Sequence, residues 1–229
     1  MTVALNDLTE LYSPSYFKEV SKQYTLTEKQ IDPNKLSKVN VITSGSGIFI
    51  VPEFLGDCER IFKKIEKKLS FRDNNDGTFL LEKDGVQYII YVELKSKFEA
   101  GIKKAIRQIP VSSIKIKSFL RNIQTFKLQD YRELGLIISY PPAPEDKYDS
   151  KNNAMVLNHK VEYLADQKED QEFYDKELRH NKEVYLTAEN FPKLPQDKLH
   201  EDIKFKSMMV YYRSVSKNGE NVDLDNILH

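Results

Sequence analysis

The spacing of apolar positions changes along the chain from a helical to a strand-like period, and this change outlines the fold. Pro52 stands where a helix commonly begins, because a missing N–H costs nothing in the first turn. Apolar residues then recur at intervals of three and four, which predicts an amphipathic helix over 52–69. The residues of this stripe are Phe54, Leu55, Cys58, Ile61, Phe62, Ile65 and Leu69. Cys58 is therefore predicted to be a core residue rather than a nucleophile.

A β-hairpin is predicted soon after this helix. Two runs with strand character, 78–83 and 86–95, are joined by Asp84-Gly85, a strong signal for a two-residue hairpin turn. A symmetric turn pairs Lys83 with Val86, so the numbers of paired residues sum to 169. This register predicts which residues of the two strands face each other.

The other segments before residue 141 read alternately as helix and strand. We expect one or two short helices over 5–30, and two strands at 39–42 and 48–51 around a flexible Gly/Ser turn at 44–47. A short strand is expected at Phe71. After the hairpin, the pattern predicts a helix from about residue 97 that is interrupted at Pro110 and resumes over 111–123, then a buried strand over 131–140.

The C-terminal third is more polar. Residues 145–202 are charged and free of glycine, and helices are expected over 156–164 and 169–179. A last strand is predicted over 203–214, and the end of the chain from Lys217 is expected to be frayed.

This order of elements predicts an α/β (α+β) fold with a mixed central sheet flanked by helices. Four parts are expected: an N-terminal helical segment (1–38), an α/β core (39–140), an acidic and partly helical insertion (141–202), and a C-terminal strand and tail (203–229).

The composition excludes several classes of protein. With 229 residues, of which 40% are apolar, the chain can bury a core, so wholesale disorder is excluded. A single cysteine leaves no disulfide framework and no cysteine-type zinc site, and the four histidines do not form a zinc-binding pattern. No signal peptide or membrane span is recognisable, which predicts a cytoplasmic protein without a membrane partner.

Charge is distributed unevenly, although the formal net charge is zero. Residues 60–127 carry 16 Lys and Arg against 7 Asp and Glu, whereas residues 141–202 carry 15 acidic against 9 basic side chains. A basic region beside an acidic one is compatible with a nucleic-acid-processing core. Three interpretations of the acidic segment 145–202 stay open: a solvated helical insertion, a lid, or a surface for a protein partner.

The second strand of the hairpin carries the candidate chemistry. Since side chains alternate along a strand, Glu93 and Lys95 share one face, opposite to the apolar run that ends at Leu94. The predicted register places Asp76 across from Glu93, and two facing carboxylates repel unless a cation or a proton lies between them. Asp76, Glu93 and Lys95 therefore form a candidate Mg²⁺ (or Mn²⁺) site in which Lys95 orients a water or stabilises negative charge.

The pattern of Asp76 followed by Glu93-Leu94-Lys95, with a helix before and after the hairpin and a further strand, resembles the PD-(D/E)XK nuclease superfamily. The resemblance covers Pro52 to Tyr140 and implies a restriction-endonuclease-like core. Asn75 stands where many members of that family have a proline.

The resemblance also implies roles for individual residues. Asp76 and Glu93, with the carbonyl of Leu94, would hold the metal, and Lys95 would position the attacking water. An acid from the first helix, Glu59 or Glu53, would complete the metal site. Further contacts to DNA or RNA would come from the helix after the hairpin, through Lys97, Lys103, Lys104, Arg107 and Gln108.

The expected function is hydrolysis of phosphodiester bonds in DNA or RNA by a metal-dependent nuclease. The alternative is a non-catalytic nucleic-acid-binding or protein-interaction subunit with a nuclease-like fold. A small-molecule enzyme unrelated to nucleic acid is a third interpretation. The sequence also leaves a homodimer open.

Overall fold

A computed structural model describes residues 5–27, 35–62, 74–143, 168–191 and 196–228, with the side chains of 58–62 and 168–172 outside the description. The helices are α1 (Leu5–Leu11), α2 (Pro52–Phe62), α3 (Phe98–Leu120) and α4 (Lys168–His180). The strands are β1 (Phe17–Thr27), β2 (Lys38–Ile50), β3 (Gly77–Lys83), β4 (Val86–Lys95), β5 (Tyr131–Ser139), β6 (Glu183–Thr187), β7 (Ser207–Ser214) and β8 (Asn221–Asp223).

The strands form one mixed sheet of eight strands in the order β1-β2-β3-β4-β5-β7-β6, with β8 paired to β2. Strands β1 to β4 are antiparallel neighbours, whereas β4, β5 and β7 run parallel and β6 is antiparallel to β7. The parallel step from β4 to β5 requires a crossover, which α3 provides. The predicted mixed sheet with flanking helices is confirmed.

The two faces of the sheet have different covers. All four described helices bury side chains in one core cluster, to which α2 contributes Phe54 and Leu55. The other face packs against side chains of β1, β2 and the C-terminal segment, including Leu224 and Ile227. Because β4 is central, its residues are buried on both faces, as the apolar run in its sequence indicates.

The hairpin follows the predicted register. Lys83 pairs with Val86, and the pairing continues without a shift to Gly77 and Val92. The turn residue Asp84 has a φ of 53° and Gly85 one of 78°, as expected for a turn that needs two positive φ angles.

The prediction of one or two short helices over 5–30 is wrong for 17–27, which form strand β1. Phe17 is buried in the helix-side core and Val20 in the opposite core, so their three-residue spacing comes from a strand with two buried faces. A register shift occurs between Ser21 and Gln23, where Lys22 has a φ of 69°. Pairing is regular from Phe17 to Ser21, so this irregularity is not the cause of the helix-like spacing.

The predicted turn at 44–47 is also wrong, because β2 runs through it as one continuous strand. Gly47 lies so close to β3 that a Cβ built there would stand 1.9 Å from the carbonyl oxygen of Leu80. Glycine is needed for close approach between strands rather than for a turn.

Helix α3 continues through Pro110, so the predicted interruption is wrong. Proline within a helix costs about 3 kcal/mol. Here the residues on both sides of it, including Ile109, Val111 and Ile114, are fully buried. Burial along the whole helix offsets the missing backbone hydrogen bond.

The C-terminal third belongs to the sheet more fully than its polarity indicates. Strand β6 lies within the predicted insertion, and the last strand begins at Ser207 because 201–203 form a 3₁₀ turn. The expected fraying from Lys217 is wrong, since β8 pairs with β2 and Leu228 is buried. The predicted strand 131–140 and helix 169–179 are confirmed as β5 and α4.

Three predictions fall outside the described residues: the helix beyond Phe62, the strand at Phe71 and the helix over 156–164. The same holds for the side chains of Cys58 and Glu59. Within the described ranges, no helix is both long enough and apolar enough to cross a membrane.

Candidate active site

The candidate site lies where β4 ends, under the helix-covered face of the sheet. Glu93 follows Ile89 and Tyr91 on this face, and both of those residues belong to the helix-side core. Leu94 points into the opposite core. The predicted separation of Glu93 from the apolar run is thus confirmed, and the carboxylate of Glu93 is fully buried.

Only one oxygen of the Glu93 carboxylate has a partner among the residues that the structure describes. Its Oε1 accepts a hydrogen bond from the Lys95 ammonium, whose side chain is 15% exposed. Its Oε2 is buried and has no hydrogen-bond partner within the described ranges. A buried carboxylate oxygen without a donor is costly, so such a position calls for a cation, a water or a ligand.

Asp76 lies immediately before β3, one residue beyond the last pair of the hairpin. Its backbone N–H donates to the carbonyl of Val92 at 2.9 Å, and its Oδ2 accepts from the N–H of Leu94 at 2.7 Å. The register predicted Asp76 as the cross-strand partner of Glu93, but the regular pairing ends at Gly77 and Val92. The Asp76 carboxylate is instead held by the backbone of the residue that follows Glu93, which brings the two acids to the same strand end.

Burial raises the pKa of Asp76 above its ordinary value, and three interactions counteract this effect. The positive charge of Lys95, the hydrogen bond from Leu94 and the charge of Lys104 each favour the ionised carboxylate. Asp76 thus lies within electrostatic reach of two lysines. A partly desolvated acid beside positive charges is typical of functional sites.

Gly101 makes room for the stem of Lys95. A Cβ built on this residue would lie 2.6 Å from the Cβ of Lys95 and 2.7 Å from its Cγ. Any side chain at position 101 would thus displace Lys95. The first turn of α3 therefore fixes where the Lys95 ammonium can lie.

Gln108 faces the same region, as the sequence predicted, but its observed contact is with the protein backbone. Its Nε2 donates to the carbonyl of Asn74 at 2.5 Å, and its Oε1 has no partner among the described residues. Gln108 is almost completely buried. In this structure it therefore supports the segment before Asp76.

The other predicted nucleic-acid contacts form an exposed basic stripe at the start of α3. Lys97, Lys103, Lys104 and Arg107 are all exposed. Partial burial and the neighbouring charge of Arg107 lower the pKa of Lys103. The charge of Lys104 acts to lower the pKa of Asp76, so this stripe lies close to the candidate site.

Helix α2 brings acidic side chains to a cavity beside Asp76. The cavity has a volume of about 310 Å³ and is lined by Pro52, Glu53, Gly56, Asp57, Asn74, Asn75 and Asp76. The carboxylate of Asp57 accepts a hydrogen bond from the Tyr16 hydroxyl at 2.6 Å. Of the two acids predicted from α2, Glu53 shares this cavity with Asp76, whereas the side chain of Glu59 lies outside the description.

The donor set suits a hard divalent cation. Asp76 and Glu93 supply carboxylate oxygens, and the Oε2 of Glu93 has no competing donor among the described residues. Within the same residues there is no group of three or more His, Cys, Asp or Glu side chains that could hold a metal. A cation here would complete its shell with neutral oxygens and water, as Mg²⁺ commonly does. The predicted roles of the Leu94 carbonyl and of Mg²⁺ stay predictions.

Sequence reasoning missed a second layer around the site. Asn75, Ser112 and Lys115 are buried beside Asp76 or Gln108, yet none of them matches a catalytic pattern. The available signal was the spacing of polar residues on an otherwise apolar helix, since Ser112 and Lys115 follow Gln108 by four and seven positions.

Comparison with family models, with curated proteins and with solved structures gave no match to this chain. The fold and the site are therefore interpreted from their own geometry.

Proposed function

We propose that this protein is a metal-dependent nuclease that hydrolyses phosphodiester bonds through Asp76, Glu93 and Lys95. The observation that carries the proposal is the buried Glu93 carboxylate with one unmatched oxygen, beside Asp76 and the Lys95 ammonium. A restriction-endonuclease-like core is part of the same proposal.

Asp76 and Glu93 would hold the cation, since both carboxylates come to one strand end. When bound, Mg²⁺ would polarise the phosphoryl oxygens and lower the pKa of a bound water. Glu53 lines the same cavity as Asp76, so it would add negative charge near the cation rather than a third ligand, since the described residues contain no group of three such side chains that could hold a metal.

Lys95 would orient the water or stabilise the charge that develops on the phosphate. Its ammonium is held by Glu93 and its stem by the contact with Gly101, so it is fixed before a substrate binds. Such preorganised positive charge is an efficient way to stabilise a transition state.

The basic stripe of α3 would hold the nucleic-acid backbone. Phosphate contacts from exposed lysines and arginines give affinity that depends on salt and not on base sequence. Replacing Lys103 and Arg107 together by alanine should lower binding to all sequences equally and reduce the salt dependence by about one unit per removed contact.

The proposal is tested by incubating plasmid, single-stranded DNA and RNA with the protein and Mg²⁺ or Mn²⁺. Cleavage should fall by about 100-fold or more in Asp76→Ala, Glu93→Ala and Lys95→Ala. Asp84→Asn is the matched control, since this exposed acid lies in the turn at the other end of the same hairpin. Asparagine tolerates its positive φ.

Equal cleavage by the wild type and all variants would indicate a contaminant and refute the nuclease. Nucleic-acid binding by the wild type without any cleavage would instead favour the non-catalytic binding subunit. Far-ultraviolet circular dichroism of each variant checks that the fold is retained.

A further inference from the structure

Helix α3 holds the short segment that leads into Asp76. Three side chains of the helix, spaced by four and then three residues, contact Asn74 and Asn75. Gln108 donates to the carbonyl of Asn74, the Ser112 hydroxyl accepts from the N–H of Asn75 at 2.9 Å, and the Lys115 ammonium donates to the Oδ1 of Asn74 at 2.6 Å. Residues at this spacing lie on one face of a helix, so two turns of α3 hold Asn74 and Asn75 by hydrogen bonds.

The side chain of Asn75 makes further hydrogen bonds to the residues that follow Asp76. Its side-chain amide donates to the carbonyl of Gly77 and to the Thr78 hydroxyl, the latter at 3.1 Å. Because the Gly77 carbonyl can only accept, the end of the amide that faces it is the nitrogen. Its own backbone N–H donates to Ser112 of α3. Asn75 therefore links α3 to the first two residues of β3, which lie on the other side of Asp76 in the chain.

These contacts are buried, which makes them effective constraints. Asn75 is 1% exposed and Ser112 is fully buried. In the dry interior a buried polar group keeps its hydrogen bond, because water does not replace a lost partner. Asp76 itself is a bend residue outside the strand, and its backbone is tied to the sheet by one hydrogen bond to Val92.

From this arrangement we propose that Ser112 and Asn75 are positioning residues that hold the Asp76 carboxylate at the Leu94 amide and beside Glu93 for cation binding. The inference rests on the proposed function for its link to catalysis. Residues that orient a metal ligand through hydrogen bonds typically change metal affinity or activity by about 10–100-fold when they are removed.

The neighbouring residue Ser113 provides a matched control. Ser112 and Ser113 are adjacent on α3, both are fully buried, and each makes a hydrogen bond through its hydroxyl. Ser113 donates to the Oε2 of Glu133 at 2.7 Å, which is remote from Asp76. If Ser112 had only a structural role, Ser112→Ala and Ser113→Ala should affect the protein alike.

The first measurement is the affinity of the full chain for Mg²⁺, by calorimetry, together with the Mg²⁺ dependence of cleavage. We expect Ser112→Ala to weaken Mg²⁺ binding by about 10–100-fold, and Ser113→Ala to leave it unchanged. Thr78→Val is a second variant that removes one acceptor of Asn75 at nearly constant volume. It should also weaken Mg²⁺ binding. The affinity of Thr78→Val therefore tests the proposal if Ser112→Ala does not fold.

The second measurement does not depend on catalysis. The Leu94 amide is hydrogen-bonded to Asp76, so its hydrogen exchange, followed by NMR at one pH, reports whether that carboxylate is in place. Exchange should be faster in Ser112→Ala and unchanged in Ser113→Ala. Unchanged exchange of the Leu94 amide in Ser112→Ala overturns the positioning role, even if the protein cleaves no substrate.

The two proposals fail in different ways. Absence of cleavage by the wild type refutes the nuclease, while hydrogen exchange of the Leu94 amide still decides whether Ser112 positions Asp76. Cleavage that is lost in Asp76→Ala but equal in Ser112→Ala and Ser113→Ala supports the nuclease and refutes the positioning role.

Discussion

Two Lys–Glu clusters, each with one buried and one partly buried member, lie on the same face of the sheet under α3. They differ in how completely their carboxylates are satisfied. In one cluster, Glu133 pairs with Lys117 at 3.1 Å. In the other, Glu93 pairs with Lys95. Glu133 is in register with Ile89, four residues before Glu93, so the two clusters are about 13 Å apart along the strands.

Both oxygens of Glu133 have partners. Its Oε1 accepts from Lys117, and its Oε2 accepts from the hydroxyls of Tyr91 at 3.0 Å and Ser113 at 2.7 Å. Lys117 is satisfied as well, since it also donates to the carbonyl of Lys204 at 2.8 Å. This cluster joins α3, β4, β5 and the segment before β7, and its role is structural.

The Glu93 cluster has the same pair of charges but lacks the additional donors. The Oε2 of Glu93 is without a partner among the described residues, and the neighbouring Asp76 adds a second acid. A fully satisfied ion pair of this kind is a structural feature, whereas an incompletely satisfied one indicates a place for a cation, a water or a ligand.

The largest effect is expected for Glu93→Gln. This variant keeps the volume but removes the charge that would hold a cation, so cleavage should fall by about 100–1000-fold. Initial rates at saturating Mg²⁺, compared with those of Glu133→Gln, give the measurement. Equal loss of cleavage in both folded variants would refute the assignment of Glu93 to function and Glu133 to structure.

Glu133→Gln should instead affect stability. It leaves the buried Lys117 without its charge partner, and breaking such a pair typically costs about 3–5 kcal/mol. Urea denaturation should show a reduced free energy of unfolding, while cleavage per folded molecule stays near that of the wild type. A stability loss as small as that of an exposed ion pair would show that Glu133 is not structural.

Gly101→Ala tests the placement of Lys95. Because a Cβ would lie 2.6 Å from that of Lys95, the variant should lose about 1–3 kcal/mol of stability and about tenfold or more in cleavage rate. Gly56→Ala in α2 is the control for stability, since a Cβ there meets nothing within 4 Å. It should stabilise the helix by up to about 1 kcal/mol. Equal stabilisation by both variants would refute the steric role of Gly101.

The smallest effect concerns pH. Burial raises the folded-state pKa of Asp76 above the ordinary 3.8, so ionisation of this group is less favourable in the folded protein. Its contribution to stability is therefore fully present below pH 3.8 and is lost as pH rises through the folded pKa. Asp76→Asn should be more stable than the wild type at neutral pH, with a difference that shrinks as pH falls.

Thermal unfolding of both proteins at a series of pH values measures this difference. Glu133→Gln serves as the comparison, since its destabilisation should persist at neutral pH and have the opposite sign. A wild type that is more stable than Asp76→Asn at pH 7 without metal would contradict the raised pKa.

The local pattern of the sequence was sufficient for the hairpin and for the position of Glu93. Asp84-Gly85 fixes a two-residue turn, and alternation along β4 then separates Glu93 and Lys95 from the apolar run. The same register correctly predicted that Asp76 lies near the end of β4, but it did not predict the hydrogen bond from the Leu94 N–H to its carboxylate. Strand pairing ends at Gly77, and the carboxylate is held by a backbone amide instead.

Local pattern failed where burial on two faces or pairing at long range decided the structure. Phe17 and Val20 have helical spacing, yet they lie on opposite faces of β1. The C-terminal segment from Lys217 was expected to be frayed. Its strand β8 is held by pairing with β2, some 180 positions earlier in the chain.

What the sequence by itself determined is the set of charges at the end of β4, because a period of two and a two-residue turn are properties of neighbouring residues. What only the tertiary structure decided is how those charges are satisfied. Lys117 and Lys95 are equally basic in the sequence, and Glu133 and Glu93 equally acidic. Packing brings two hydroxyl donors to Glu133, Tyr91 from β4 and Ser113 from α3, whereas within the described residues one oxygen of Glu93 is left without a donor.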